Sequence, residues 1–594
     1  MSTKVSKKRA TAALLATMLA ASVAPAQGVT PTTAGPIRMS QIGFLPAAPK
    51  AAVVVGSSAT TFAVVGAERG DTVLRGSLTP PKSWELSGET NVRRADFSRL
   101  TRPGRYRLVV PGAGEPVEFE IGTTRMRELA TATLKGFYFQ RTAVPLLPEH
   151  AGRWARAAGH PDTLVLVHPS AASAARPAGT RLSSPLGWYD AGDYNKYIVN
   201  SGISTYSLLL IAEQFPQYAD SLRTNIPESG NALPDVLDEA LFNVRWMLTM
   251  QDPTDGGVYH KLTNPQFDGF VAPSAATGTR YVVQKSTAAA LDFAAVMAQT
   301  SRVVQRYPRA LPGLADSLRV AALAAWRWAR AHPDSLYDQN RINAATDPDI
   351  ATGTYGDRSV SDELRWAAAE LFLTTRQDSF LVAAPPVASD SVDVPTWSSV
   401  GTLALVSLAE HRREVPARTA AAATEKLVAL ARALRDAADT TAYGVAMARR
   451  SDFTWGSSAV AANQGLVLVQ AYRLTGDTTF LRAAVGNLDY LLGRNPTGYS
   501  FVTGIGVRTP MFPHHRPSAA DTVAAPVPGL LAGGPNPSQQ DKCAGYPSKL
   551  PALSYVDAQC SYASNEIAIN WNAPIAYLSA AIDAVYVSRA PLAP

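Results

Sequence analysis

From Met126 to the C-terminus, apolar residues recur at helical spacing in about a dozen stretches, and this periodicity constrains the fold more than any other feature. Leu233, Val236, Leu237, Ala240, Leu241, Val244 and Met247 show it clearly, with Asn231 placed to cap the helix and Pro234 suited to its first turn. Similar stretches begin near Thr131, Ser204, Ser286, Gly313, Ser361, Ser399, Thr419, Ser457, Thr479 and Pro574. Each helix has an apolar face that must be covered by a neighbour. With no strong fixed-period repeat, hairpins closed into a toroid fit better than an open solenoid. The fold class expected is therefore mainly α.

Ahead of the helices the pattern differs. Residues 1–26 read as a signal peptide. Lys4, Lys7, Lys8 and Arg9 precede an apolar run from Ala10 to Val23, and Ala24-Pro25-Ala26 supplies small residues for cleavage. The run is short for a membrane span, so a secreted or periplasmic chain is expected, with no membrane contact after cleavage. Residues 27–36 read as a linker. Over residues 37–122, Ala51–Val55, Thr61–Val65, Tyr106–Val110 and Val117–Ile121 read as short strands between Gly, Pro and polar turns. They suggest a small β-sandwich without chemistry of its own. Residues 123–594 then form the helical domain.

Charge narrows the partners. Removing the four leader cations from the net +7 leaves about +3, with no basic run, which argues against nucleic acid. Cys543 and Cys560 are the two cysteines, and an exported chain permits them to pair. They cannot form a structural zinc site without histidine.

Three segments carry chemistry. In Gly187-Trp188-Tyr189-Asp190-Ala191-Gly192-Asp193-Tyr194, two carboxylates three residues apart can turn toward one point and hold a water, while Trp188, Tyr189, Tyr194 and Tyr197 offer flat faces for sugar rings. The same residues also suit a plain surface turn. Pro513-His514-His515-Arg516 lies in a Gly/Pro-rich loop, where His514 and Arg516 can donate to hydroxyls and hold a carboxylate ionised. Between Tyr555 and Pro574, Glu566 stands among Ile567, Ile569 and Trp571, a setting that raises a carboxyl pKa and suits a general acid. Pro574 in the first turn of the closing helix places Glu566 just before that helix. No G-x-S-x-G elbow, P-loop or G-x-G-x-x-G after a strand is present, leaving widely separated carboxylates as the candidate chemistry.

Together the three segments resemble glycoside hydrolase family 9. Asp190-Ala-Gly-Asp193 is similar to its base motif, and Ser500 to Arg516 to its histidine signature. Tyr555, Asp557, Tyr562, Glu566, Ala568, Asn572 and Ala573 match its acid signature. Residues 37–122 resemble the immunoglobulin-like domain that precedes many such catalytic domains. The resemblance implies an (α/α)6 barrel acting, as a monomer and without a cofactor, on β-1,4-linked glucan by inversion. Asp193 is then the base, Asp190 helps hold the water and Glu566 is the acid, with His514, Arg516, Asp557 and Tyr562 on the substrate side. An inverting pair stands roughly 6.5–9.5 Å apart. The resemblance also implies a structural calcium at Asp362 and Glu363, although Ser361 as an N-cap would explain acids in a first turn without metal. Exo-action on cellodextrins or glucosamine oligomers, and a non-catalytic carbohydrate-binding role, are the alternatives. The 517–560 insertion is the segment able to block one end of a cleft.

Overall fold

The computed structural model describes residues 34–385 and 392–589; the leader read at residues 1–26 lies outside them. Strands β1 (Ile37–Arg38), β2 (Ala51–Val55), β3 (Thr61–Gly66), β4 (Thr72–Ser77), β5 (Lys82–Trp84), β6 (Glu89–Asp96), β7 (Gly104–Val109) and β8 (Val117–Ile121) come first. They form two antiparallel sheets, ordered β1-β2-β6-β5 and β4-β3-β7-β8. Phe44, Val54, Phe62, Val64, Phe97, Leu108 and Phe119 fill the space between them. Alternation reveals β8, where Phe119 and Ile121 are buried and Glu118 is exposed. It hides β4, an edge strand with no buried residue, and β6, where only Val92 and Ala95 of eight residues are buried.

Helices follow in two layers. Ile198–Gln214, Thr287–Val304, Ser361–Thr375, Gly401–Glu410, Ser457–Thr475 and Ile569–Arg589 pack each on the next, and the last closes on the first. Outside them, Thr124–Gln140 backs Ile569–Arg589, Asp235–Thr249 backs Ile198–Gln214, and Leu314–Ala331 backs Thr287–Val304. Ser379–Ala383, Ala417–Thr440 and Thr478–Leu491 complete the outer layer. Position explains which helices show periodicity. Ala417–Thr440 buries only one stripe, Ala420, Ala423, Leu427, Val428, Ala431, Leu434 and Ala438. Ile198–Gln214 buries every residue except Glu213, so its sequence is apolar or small all round and its start reads six residues late.

Three expected helix starts differ from the structure. Asn231 accepts from the Leu233 N–H, and the helix begins at Asp235 with Pro234 as its cap. Ser361 is the first helical residue, capped by Val360. Pro574 lies inside Ile569–Arg589, beyond its first turn. That helix starts early because the Ile569 N–H donates to the Asp190 carbonyl at 2.8 Å, tying its first turn to the aspartate loop.

The helical part is not purely helical. Loops between helices contribute β9 (Val165–Val167), β10 (Arg181–Leu182), β11 (Lys196–Tyr197), β12 (Lys261–Thr263) and β13 (Tyr281–Val282), in the sheet order β10-β9-β13-β12-β11. The β-sandwich packs against the helical part. Trp84 meets Tyr443 with ring centres 4.7 Å apart, and the Gln41 amide donates to the Gly498 carbonyl while accepting from the N–H groups of Val507 and Arg508. The sandwich thus braces the loop that leads to His514.

Candidate active site

The aspartate loop, 190–193, enters just before β11. It is a tightly packed loop: the Asp190 N–H donates to the Asn195 carbonyl, and Asp190 itself is held from both sides. Asn200 Nδ2 donates to its Oδ1 at 2.5 Å, and the Tyr355 hydroxyl to its Oδ2 at 2.7 Å. Burial first, and then the charge of Asp193, push the Asp190 carboxyl well above the ordinary carboxylate range. Its surroundings thus favour the protonated form of Asp190. At Asp193, Asn195 Nδ2 donates to Oδ2 at 2.5 Å and the Tyr197 hydroxyl approaches the same oxygen at 3.5 Å.

Glu566 comes from the far end of the chain. His514 N–H donates to the Asn565 carbonyl, and Arg516 N–H to the Gly192 carbonyl, so the histidine loop is sewn to both carboxylate segments. Ile567, Ile569 and Trp571 around Glu566 are buried. Burial, then the charges of Asp193 and Asp190, raise the Glu566 pKa well above its usual value, only partly offset by Arg516 and the Gly192 N–H. Glu566 is thus a carboxyl whose surroundings favour the protonated form. Asp190, Asp193 and Glu566 line one cavity of about 460 Å³, walled by Tyr197, Phe267, Tyr355, Trp397, Trp455 and Trp571.

Gly192 makes this approach possible. A Cβ there would sit 2.0 Å from the His514 carbonyl oxygen, far inside contact distance. Gly192→Ala is expected to part the two loops and lower kcat about 100-fold, the scale set by a misplacement of about 1 Å. Steady-state kinetics on a soluble glucan check this, and a variant with wild-type kcat would show that the loop approach does not matter.

Several residues read from the sequence have other placements. Trp188, Tyr189 and Tyr194 are fully buried and offer no face to a sugar; of that aromatic set Tyr197 lines the cavity. Arg516 turns its guanidinium onto the carbonyls of Asp268 and Gly192, beneath Phe267 and Phe270. His514 gives its Nδ1–H to the Gln559 carbonyl, and burial pushes its pKa down, leaving a neutral ring beside Phe270. Asp557 accepts from the N–H groups of Met511 and Phe512 and from Asn565. Tyr562 packs near Trp455 and donates to the Gln540 carbonyl. None of these four is among the residues lining the cavity. Cys543 and Cys560 form a disulfide, and no residue of 517–560 is among those lining the cavity.

Asn195, Asn200, Tyr355, Trp397 and Trp455 escaped sequence reasoning. Tyr355 is 162 residues from Asp193 and adopts a left-handed backbone (φ +44°) to reach Asp190, which no local pattern signals.

The acidic pair expected at Asp362 and Glu363 is rearranged. Asp362 accepts the Val400 N–H, whereas Glu363 is buried with both carboxylate oxygens unpartnered, as are both oxygens of buried Asp292. Burial and then the Asp292 and Asp362 charges push the Glu363 pKa far up. Unpaired buried oxygens of this kind suit a hard, oxygen-seeking cation. Among the described residues, however, no three His, Cys, Asp or Glu side chains converge as a metal cage, so backbone or hydroxyl oxygens would have to complete it.

A helical ring that brings two aspartates and a glutamate of raised pKa into one aromatic-walled cavity is an arrangement suited to two-carboxylate hydrolysis of sugars. The chain belongs to glycosyl hydrolase family 9: residues 127–579 match that family's model, and residues 32–115 match the cellulase N-terminal ig-like domain. It is a glycoside hydrolase. It is 46% identical over 576 residues to the xyloglucan-specific endo-beta-1,4-glucanase BoGH9A of Bacteroides ovatus, covering 96% of this chain and 97% of that one. Endoglucanase D of Acetivibrio thermocellus is 30% identical, with 91% and 82% covered. Among solved structures, a Bacteroides ovatus GH9 superposes with a TM-score of 0.88 at 45% identity, covering 93% of this chain and 99% of that chain.

Proposed function

We propose that this protein cleaves β-1,4-glucosidic bonds inside a glucan chain, with inversion, on an (α/α)6 barrel. The observation that carries this reading is the cavity that Asp193 shares with Glu566, whose pKa is raised well above its usual value. Asp193 takes a proton from a water whose oxygen bonds to the anomeric carbon. As that bond forms, the carbon–oxygen bond to the leaving sugar breaks, and Glu566 passes its proton to the leaving oxygen. Asp190, anchored by Asn200 and Tyr355, helps hold the water. Trp397, Trp455 and Trp571 supply flat faces for the sugar backbone. His514, Arg516, Asp557 and Tyr562 serve the substrate side by fixing the loops that frame it.

The cavity wall lacks any residue of the 517–560 insertion, which favours internal cleavage over action from a chain end. Similarity along nearly the full length of a relative named for xyloglucan favours a xylose-bearing β-1,4-glucan over a linear one. The domains are read as a leader at 1–26, a linker at 27–36, the sandwich at 37–122 and the catalytic barrel at 123–594. The leader supports a secreted or periplasmic location, and no helix among the described residues is long and apolar enough to cross a membrane. Calcium, held by Glu363 and Asp292 with Asp362 nearby, would only neutralise buried charge and take no part in the reaction.

A panel of xyloglucan, linear soluble β-1,4-glucan, cello-oligosaccharides and chitosan oligomers tests the proposal. Mid-length products and an early fall in viscosity on xyloglucan are expected, with the α-anomer first by NMR. Release of single sugars from chain ends would overturn the endo reading, and an initial β-anomer would overturn inversion.

A further inference from the structure

We infer that Asn195 is a positioning residue that orients the Asp193 carboxylate and leaves Oδ1 as the oxygen that takes the proton from water. The inference rests on the reading of Asp193 as the base. Asn195 is buried, 1% exposed, and its side chain is held at both ends. Oδ1 accepts from the Asn264 N–H and lies 2.9 Å from Thr263 Oγ1, while Nδ2 donates to Asp193 Oδ2 at 2.5 Å.

The amide orientation follows from chemistry. The Asn264 N–H is a donor in every protonation state, so the atom facing it is the amide oxygen. The NH2 therefore faces Asp193. Asn264 is itself fixed, because Arg280 donates to its Oδ1 and also to the Tyr194 carbonyl. Thr263 lies on β12, whose neighbour β11 begins at Lys196, the next residue after Asn195. Two neighbouring strands thus hold the amide and the base in one frame.

The result at Asp193 is one-sided. Among the described residues, the hydrogen bonds to its carboxylate both go to Oδ2, from Asn195 and Tyr197. A carboxylate turned this way presents its other oxygen to water, and a donor on Oδ2 favours the charged, proton-accepting form. Asn195 touches no reacting atom; it acts through Asp193.

Asn195→Ala separates this role from a merely structural one. Loss of a hydrogen bond to a charged group predicts a kcat lower by about 10–100-fold with KM changed less than about threefold. The acid limb of the kcat profile should move to higher pH, because the base loses a donor that favours its charged form. Unchanged kcat with an unmoved limb would overturn the inference, as would lost activity with an unmoved limb and a lowered melting temperature.

Asn195→Asp preserves shape and guards against a folding artefact. Below its ionisation the introduced carboxyl can still donate; above it, a second negative charge faces Asp193. Activity is expected to survive at acidic pH and fall early on the alkaline side, and a wild-type profile would overturn the inference. Asp193→Asn assayed beside them separates the two readings. If it retains substantial turnover, the base assignment fails. If it is inert while Asn195→Ala behaves as wild type, only the present inference fails.

Discussion

Glu566→Gln is expected to lower kcat on glucan by about 10²–10⁴-fold while leaving KM nearly unchanged. The amide has the same shape and can keep the Gly192 N–H contact, but it has no proton to give the leaving oxygen. The surroundings favour glutamate in this role: burial and two neighbouring aspartates raise its pKa well above the usual carboxylate range. The alkaline limb of the wild-type profile should report loss of that proton and vanish in the variant. A sugar with a fluoride or dinitrophenyl leaving group needs no protonation, so the variant should lose far less activity on it. Undiminished turnover of the natural glucan would sink the assignment.

Asp193→Asn should cost a comparable factor, about 10²–10⁴-fold in kcat, but with the opposite signature. The activated substrate should not rescue it, because water still needs a base whatever leaves. Asp190 is a poor substitute: Asn200 and Tyr355 occupy its two oxygens, and its own pKa is raised by burial and by Asp193. Rescue of Asp193→Asn by the fluoride substrate would mean that the two carboxylates had been assigned in the wrong order.

How much of this was legible beforehand varies by residue. Asp190, Asp193 and Glu566 stood out because short motifs keep their chemical context in sequence, and Glu566 carried its apolar neighbours with it. The β2 and β8 boundaries were readable from apolar runs and alternation. The aromatic wall was misread. Trp188, Tyr189 and Tyr194 flank the aspartates in sequence but point into the core, while Trp397 and Trp455 come from distant loops to line the cavity. The sequence reading of Asp362 and Glu363 did not include Asp292, 71 residues before Glu363, whose charge acts on that glutamate.

The sequence by itself pointed to the candidate carboxylates and to the order of a β-sandwich before a ring of helices. Those are local properties: a motif and a period. The tertiary structure alone decided how burial and neighbouring charges raise the Asp190 pKa, which aromatics line the cavity, and which groups anchor His514, Arg516, Asp557 and Tyr562. These depend on burial and on the distance between charges, and both are created when residues hundreds of positions apart close the ring.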